Sequence, residues 1–400
     1  MKKISRFVLW MTMIVLLVGA AAAETKVMVV SDIHYLDSSL YEGSELFLQI
    51  LRAGDGKFTH RGEELLSALE RQIIREQPDA LIVTGDLIFN GDRESHETLA
   101  AWFGKIERLG VPVWVIPGNH DIHTKPVAYR KTGYSLIPSV TPEEFAAIYA
   151  DFLKPGSAGF SYLAPVSEEL WIAMTDVAWY QEEAQTFGVF KAAHEAWLAE
   201  ALKEAETAGA RVVTATHHSL IPHTEFSKES YLMFGHEKMA ALLRSHGVKL
   251  NLSGHLHIQH IARENGLADA ALGAFSIWPH RFALVTLQDD GTLSYEARSL
   301  DADLLPEGSL EESRAWFAGI TREKTLSRPM EGTEEEKSAM ADFAARFNLA
   351  YFSGTYLPED PSWTEDPALA LWKRQENTSF WNYMRMVMNE RSGDNLRWAE

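Results

Sequence analysis

The sequence predicts an α/β protein whose sheet-rich first part is followed by a helical appendage. Three observations carry that expectation. Between residue 26 and about residue 300, short β-branched apolar runs alternate with amphipathic stretches, the pattern of βαβ units with covered sheets. The apolar runs are mostly continuous rather than alternating, which suits strands buried on both faces. After residue 300 the strand pattern stops, and helical stretches studded with aromatic residues such as Trp316, Tyr351, Trp363, Trp372, Trp381 and Tyr383 take over.

Taken in order, the first 23 residues stand apart. Lys2, Lys3 and Arg6 precede a nearly all-apolar run over 7–18, and residues 19–23 are small, ending in Ala21-Ala22-Ala23 before Glu24. That is the layout of a secretory signal peptide cleaved after Ala23, and it predicts an exported protein with no stable membrane insertion after cleavage. The apolar stretch 7–23 has 17 residues, near the lower limit for spanning a bilayer, so an uncleaved anchor is the competing reading.

Strands are expected at 26–30, 80–84, 113–116, 170–175, 211–216, 248–252, 270–275, 282–287 and 293–298. Helices are expected at 62–76, 94–109, 142–153, 191–208 and 237–246. The third has a start signal: Thr141 as N-cap, Pro142 in the first turn and Glu144 to close a capping box. Beyond residue 300, helices are expected at 310–325, 334–347 and 367–389, with capping-box spacings at Ser309/Glu312 and Thr333/Glu336. The expected organisation is a signal segment over 1–23, a sheet domain over 24–300 and a helical domain over 301–400.

The bulk numbers narrow the function classes. The 400 residues carry a formal charge of −19. Such a chain repels nucleic-acid backbones and anionic lipid surfaces unless a bound cation reverses the sign, so a nucleic-acid polymer is not the expected partner. There is no cysteine. Disulfides, thiolate metal ligands and a cysteine nucleophile are therefore excluded, and any metal site must be built from His, Asp, Glu and Asn.

The residues that carry chemistry sit at strand ends. Asp32 and His34 follow the first strand at i and i+2, which puts them on one side if the chain stays extended. Gly85-Asp86 follows the second, Gly118-Asn119-His120-Asp121 the third, and His217 ends a later strand in Thr216-His217-His218. Gly254-His255-Leu256-His257 ends another, again with histidines at i and i+2. The carboxyl ends of strands gather on one edge of an α/β sheet, where sites form. Taken singly, each motif reads as a cap, a turn or a packing pair. Five of them, all at strand ends, read as one site.

In this order, Asp32-x-His34, Gly85-Asp86, Gly118-Asn119-His120-Asp121, His217 and Gly254-His255-x-His257 resemble the full signature of the calcineurin-like metallophosphoesterases, over residues 26 to roughly 300. Within that superfamily the chain resembles exported bacterial proteins of the class III cyclic-nucleotide phosphodiesterase type. The narrower match rests on Gly91-Asp92-Arg93-Glu94-Ser95-His96, on 148–152, on Ser161-Tyr162-Leu163 and on the helical tail. The resemblance implies a four-layer αββα sandwich with a C-terminal helical domain. It also implies two adjacent metal ions, one held by Asp32, His34 and His257 and the other by Asn119, His217 and His255, with Asp86 bridging them.

A mixed nitrogen and oxygen shell without thiolate suits Mn, Fe or Zn. Two such ions activate a shared water for in-line attack on phosphorus and neutralise the charge that develops. His120 is the expected non-ligand catalytic residue, stabilising the transition state or protonating the leaving oxygen. Asp121 is expected to orient that imidazole, or else to be an N-cap or turn residue. His218 replaces His217 as ligand if the strand register is off by one, and Ser219 stands where many relatives have proline. His123, His223, His260 and His280 read as exposed or hydrogen-bonded loop histidines, with lining of the substrate pocket as the alternative; Glu94 and His96 read as helix-start residues, and Arg130 and Arg281 as surface arginines, with binding of a substrate phosphate as the alternative.

The leading expectation is a phosphodiesterase acting on small diesters such as cyclic nucleotides. A phosphomonoesterase or nucleotidase is the alternative, and it would need extra cationic groups near the metals. A reading from another class is an inactive metal-bound binding protein.

Overall fold

The computed structural model describes residues 24–41, 43–154, 158–225, 231–376, 378–390 and 393–400. The expected signal segment, 1–23, lies outside the described residues. Thr25–Val30 has five of its six residues buried and sits inside a six-stranded sheet. The strand runs parallel to Ala80–Val83, with Val27 opposite Ala80, and antiparallel to Arg281–Leu287, with Val29 opposite Ala283. Val113–Val115 continues the sheet on one side, Leu293–Ser299 and Arg397–Ala399 on the other. A second six-stranded sheet runs in the order His260–Glu264, Leu267–Ala271, Leu250–Ser253, Arg211–Ala215, Leu170–Met174, Tyr162–Pro165.

The two sheets share one apolar core. Val29, Ile82 and Val115 from the first meet Ile172, Val213, Leu252 and Ala270 from the second within a single cluster. Helices Gly62–Glu76 and Arg93–Arg108 add Leu69, Ile73, Leu99 and Phe103 to it. Helices Ala192–Ala208 and His236–Ser245 cover the second sheet, laying Leu198, Leu202, Met239 and Leu243 on Ala173 and Val177. The result is the helix–sheet–sheet–helix sandwich that the family resemblance implies. Its parallel strands at the centre are buried on both faces, which is why their apolar runs are continuous.

The helical part has its own core of Phe343, Phe347, Trp372, Trp381 and Met384. Ile258, in the loop after His257, belongs to that same cluster, so the helices are anchored directly on a motif loop. The capping boxes at Thr141/Glu144 and Thr333/Glu336 form. The one at Ser309/Glu312 does not: Gly308 takes the N-cap position at φ 81°, and the Ser309 hydroxyl bonds Glu64 instead.

The expected helix over 367–389 is two helices, Pro367–Lys373 and Ser379–Met388. Thr378 accepts a hydrogen bond from the Trp381 N–H and so starts a new helix, a local side-chain bond that competes with continuing the old one. The helix expected over 142–153 ends at Ile148, and the strand expected over 270–275 is Leu267–Ala271. Arg397–Ala399 returns the chain to the first sheet as a three-residue edge strand, too short to show a period in sequence.

Candidate metal centre

The backbone at the motifs is not extended. Asp32 (φ 54°), His34 (φ 44°), Asp86 (φ 49°), His255 (φ 65°) and His257 (φ 59°) are all left-handed. Only a few per cent of non-glycine residues adopt this conformation, at a cost of order 1–3 kcal/mol each. The expected same-side projection of Asp32 and His34 therefore arises from two turned residues rather than from a strand. Tertiary hydrogen bonds hold them: the Asp32 N–H donates to the Gly85 carbonyl at 3.1 Å, and the His34 N–H to the Asp86 carbonyl at 3.0 Å. The loops also approach too closely for larger residues. A Cβ on Gly118 would lie 2.3 Å from Asp86 Oδ1, and one on Gly254 would lie 1.9 Å from Ser31 Oγ.

These turns bring the side chains into two overlapping clusters. In one, single ligand atoms of Asp32, His34, Asp86 and His257 all lie within 4.8 Å of one another; in the other, those of Asp86, His217 and His255 do. Asp86 belongs to both, with Oδ2 at 3.6 Å from His34 Nε2 and 3.4 Å from His217 Nε2. Asp32 Oδ1 is 3.2 Å from His257 Nε2. Asn119 Oδ1 lies 3.2 Å from His217 Nε2 and so joins the second cluster. Every residue expected as a ligand is at this centre.

The donor set fits cations. Asp32, His34, Asp86 and His217 are buried, and two buried carboxylates are costly without compensating positive charge. Nε2 of His34 and of His257 face each other at 3.1 Å, a contact of two lone pairs unless a proton or cation lies at them. Buried His255 Nε2 has no hydrogen-bond partner among the described residues. Burial lowers the basicity of His217, yet the charge and hydrogen bond of Asp86, with the Asp32 charge and the Thr84 carbonyl, together outweigh this and raise it to about 9. Burial and Lys57 likewise pull His257 down, while Asp55 and Asp32 raise it to about 9. The cluster thus attracts positive charge, and it offers nitrogen and oxygen donors on which metal ions can replace protons.

His120 stands beside the clusters, its ring 4.8 Å from that of His34. Its backbone N–H donates to Asp86 Oδ1 at 2.8 Å, and its Nδ1 meets the Phe89 carbonyl at 2.8 Å, which fixes Nδ1 as the protonated nitrogen. Asp121 does not hold that imidazole. Its fully buried carboxylate accepts from the N–H groups of Gly118 at 2.7 Å and Ile88 at 3.1 Å, so it ties the second and third motif loops together as a turn residue. The orienting role falls to a carbonyl of the loop after Asp86, that of Phe89, at His120 Nδ1.

His217, not His218, faces Asp86; His218 Nε2 bonds the Thr186 carbonyl at 3.2 Å. His223 and His260 form a buried pair, Nδ1 to Nδ1 at 3.0 Å, rather than loop histidines. His96 is also buried, bridging Tyr149 Oη and the Asp121 carbonyl at 2.8 Å each. Asp92 caps its helix instead, accepting from Ser95 N–H at 2.7 Å. Arg281 is buried and donates to the Ser353 carbonyl at 2.6 Å, and Arg130 donates to the Ser39 carbonyl at 3.0 Å.

Two contributors escape the motif reading. Asp55 Oδ2 lies 2.6 Å from His257 Nδ1, and Lys57 Nζ reaches both Asp55 oxygens at 2.8 and 2.9 Å. A carboxylate on the far nitrogen of a ligating histidine orients the ring and strengthens it as a donor. The signal was an aspartate between two glycines, Gly54-Asp55-Gly56, in a turn with no strand before it.

The centre opens into a cavity of about 670 Å³. Asp86, Asn119, His120, His255 and His257 line one side of it, and residues of the Ser309–Leu326, Glu334–Phe352 and Ser379–Met388 helices line the other.

Comparisons with known proteins agree with this geometry. Residues 25–259 match the family model described as calcineurin-like phosphoesterase, and residues 313–394 match that of the C-terminal domain of cyclic nucleotide phosphodiesterase. A Synechococcus sp. (strain WH7803) protein named probable cyclic nucleotide phosphodiesterase is 28% identical over 208 residues, covering 50% of this chain and 68% of that protein. Among solved structures, a dimetal phosphatase from Danio rerio superposes with a TM-score of 0.51 at 16% identity, over 69% of this chain and 96% of that one, a likeness of fold. The chain belongs to the calcineurin-like phosphoesterase family and carries, behind the phosphoesterase domain, a cyclic nucleotide phosphodiesterase C-terminal domain.

Proposed function

We propose that the protein is a binuclear phosphodiesterase that hydrolyses small diesters such as cyclic nucleotides. The observation that carries this reading is the sharing of Asp86 between two donor clusters at the wall of a cavity large enough for a nucleotide. Asp32, His34 and His257 would hold one ion and Asn119, His217 and His255 the other, with Asp86 available to both. When bound, a pair of Mn, Fe or Zn ions supplies an activated water and Lewis-acid neutralisation of the phosphoryl oxygens.

The chain's own residues do the rest. Asp55 and Ser31 orient His257 and Asp32, the latter through a 2.5 Å hydrogen bond from Ser31 Oγ. His120, with its Nδ1 proton pinned on the Phe89 carbonyl, turns Nε2 to the proton traffic of the leaving oxygen.

Of the cations that line the cavity, Lys57 is paired with Asp55, whereas Lys324, bonded to the neutral Gly54 carbonyl, and Arg328, over the Phe380 ring, keep their charge, so the diester-against-monoester comparison is what separates the two readings. The signal-like residues 1–23 support export, which points to an extracellular or cell-envelope ester as the natural substrate.

The test is the Mn-loaded protein on bis(p-nitrophenyl) phosphate beside p-nitrophenyl phosphate, with metal analysis of the same sample. Preferential cleavage of the diester, abolished by chelator, is expected. Preference for the monoester moves the protein to the phosphatase reading, and no turnover with two metals bound moves it to a binding role.

A further inference from the structure

The wall of the cavity opposite the donor clusters comes from outside the phosphoesterase domain, and its chemistry differs. Phe380 and Tyr383, one helical turn apart in Ser379–Met388, put their rings 5.5 Å apart at 43°. The guanidinium of Arg328 lies over the Phe380 ring at 5.0 Å, which holds that ring in place. Tyr383 Oη donates to Asn348 Oδ1 at 3.1 Å, so this contact occupies the oxygen of the Asn348 amide and leaves its two N–H donors out of the pair. Phe380, Tyr383, Asn348 and Arg328 all line the cavity that Asp86 and His255 line from the other side.

Flat π-faces beside an amide suit a planar ring with a polar edge. Every nucleobase has a π-face to stack and an edge to bond, so it uses both the rings and the Asn348 amide, whereas an acyl chain has no use for Asn348. We infer that Phe380, Tyr383 and Asn348 of the C-terminal helices form the base-recognition wall of the active-site cavity, so that the helical domain selects nucleoside cyclic phosphates among small diesters. This rests on the phosphodiesterase reading and adds to it: the first domain supplies the chemistry, and the second supplies the selection. It also gives the appendage a reason to be anchored through Ile258, one residue beyond His257.

The test compares adenosine 3′,5′-cyclic phosphate with base-free ribose 3′,5′-cyclic phosphate on the Mn-loaded full chain and on Phe380→Leu, Phe380→Trp and Asn348→Asp. The wild-type protein is expected to prefer the base-bearing ester in kcat/KM by roughly ten-fold or more, carried mainly by KM. Phe380→Leu, which keeps the apolar packing, loses most of that preference; Phe380→Trp restores it; Asn348→Asp, which keeps the acceptor for Tyr383 but loses the donors, lowers it. The proposal is overturned if the wild type shows no base preference, or if Phe380→Leu keeps it in full. Bis(p-nitrophenyl) phosphate runs in parallel. Where it is cleaved and the base preference is absent, the wall alone is refuted. Where nothing is cleaved, the phosphodiesterase reading fails, and the Kd values of the two cyclic phosphates by calorimetry on the same variants decide the wall by the same criterion.

Discussion

At the scale of single residues, the centre separates groups that hold charge from groups that move protons. Asp86 is the hinge, because its carboxylate serves both clusters. Asp86→Ala is expected to lose bound metal and turnover together, as elemental analysis and the diester assay will read; a variant with full metal content ends the two-ion model. His120→Ala is expected to behave differently, retaining metal while kcat falls by about 10²–10⁴. Normal turnover in that variant removes His120 from the mechanism. Asp55 acts through His257 rather than on substrate, so Asp55→Ala should weaken metal binding by about 10–100-fold and leave His120-dependent steps alone once metal is saturating. A competition titration with a chelating dye measures this directly. The ligand residues were legible in sequence because their types and order are distinctive. Asp55 was not, since its partner is 202 positions away and its local mark, a place between Gly54 and Gly56, names no partner.

At the scale of elements, the site is a set of strand ends whose loops turn through left-handed backbone. That geometry depends on neighbouring loops in space. Asp32 and His34 read as an extended pair, and they are not, because the Gly85 and Asp86 carbonyls capture their N–H groups from the adjacent loop. Gly118 tests this arrangement: Gly118→Ala forces a Cβ to within 2.3 Å of Asp86 Oδ1 and 2.5 Å of the Asp86 backbone nitrogen. The expected cost is about 1–3 kcal/mol of stability together with weakened metal binding, read by thermal unfolding with and without Mn. An unchanged melting profile would mean that the loops yield freely. The two capping boxes that form and the one that does not make the same point. Thr141 and Thr333 needed only local bonds, whereas Ser309 was claimed by Glu64, 245 positions earlier.

At the scale of the whole molecule, the helical part and the sandwich meet along a polar seam as well as an apolar one. Glu390 sits in it, accepting from Tyr351 Oη at 3.1 Å, with His260 Nε2 at 3.8 Å. Burial pushes its carboxyl from the usual 4.5 up to about 8, with the Tyr351 hydrogen bond pulling modestly the other way. Burial likewise pushes His260 down to about 3, with His223 adding to the effect, so His260 brings no charge to offset Glu390 near neutral pH. The folded chain then keeps the Glu390 proton between about pH 4.5 and 8 while the unfolded chain gives it up. This contribution to stability is full below that window and is lost as pH rises through it. Glu390→Gln is therefore expected to raise the melting temperature by a few degrees at pH 8.5 and not at pH 4.5, by scanning calorimetry. Parallel pH profiles for the two proteins would show that Glu390 is ionised when folded.

The sequence by itself determined the α/β alternation with covered sheets and the change to helices after residue 300, and its resemblance to the metallophosphoesterases marked Asp32, His34, Asp86, Asn119, His217, His255 and His257, which the fold brings together. Apolar periodicity and motif order are properties of neighbouring residues, and they survive in one dimension. Only the tertiary structure decided which carbonyl pins His120, which carboxylate supports His257, why Asp121 ties loops instead of orienting a histidine, and that the last residues close a sheet begun at Thr25. It also decided that the helical domain faces the donors across one cavity. Each of these is a contact between segments tens to hundreds of residues apart, set by how two sheets and their loops pack, and no local pattern records such a distance.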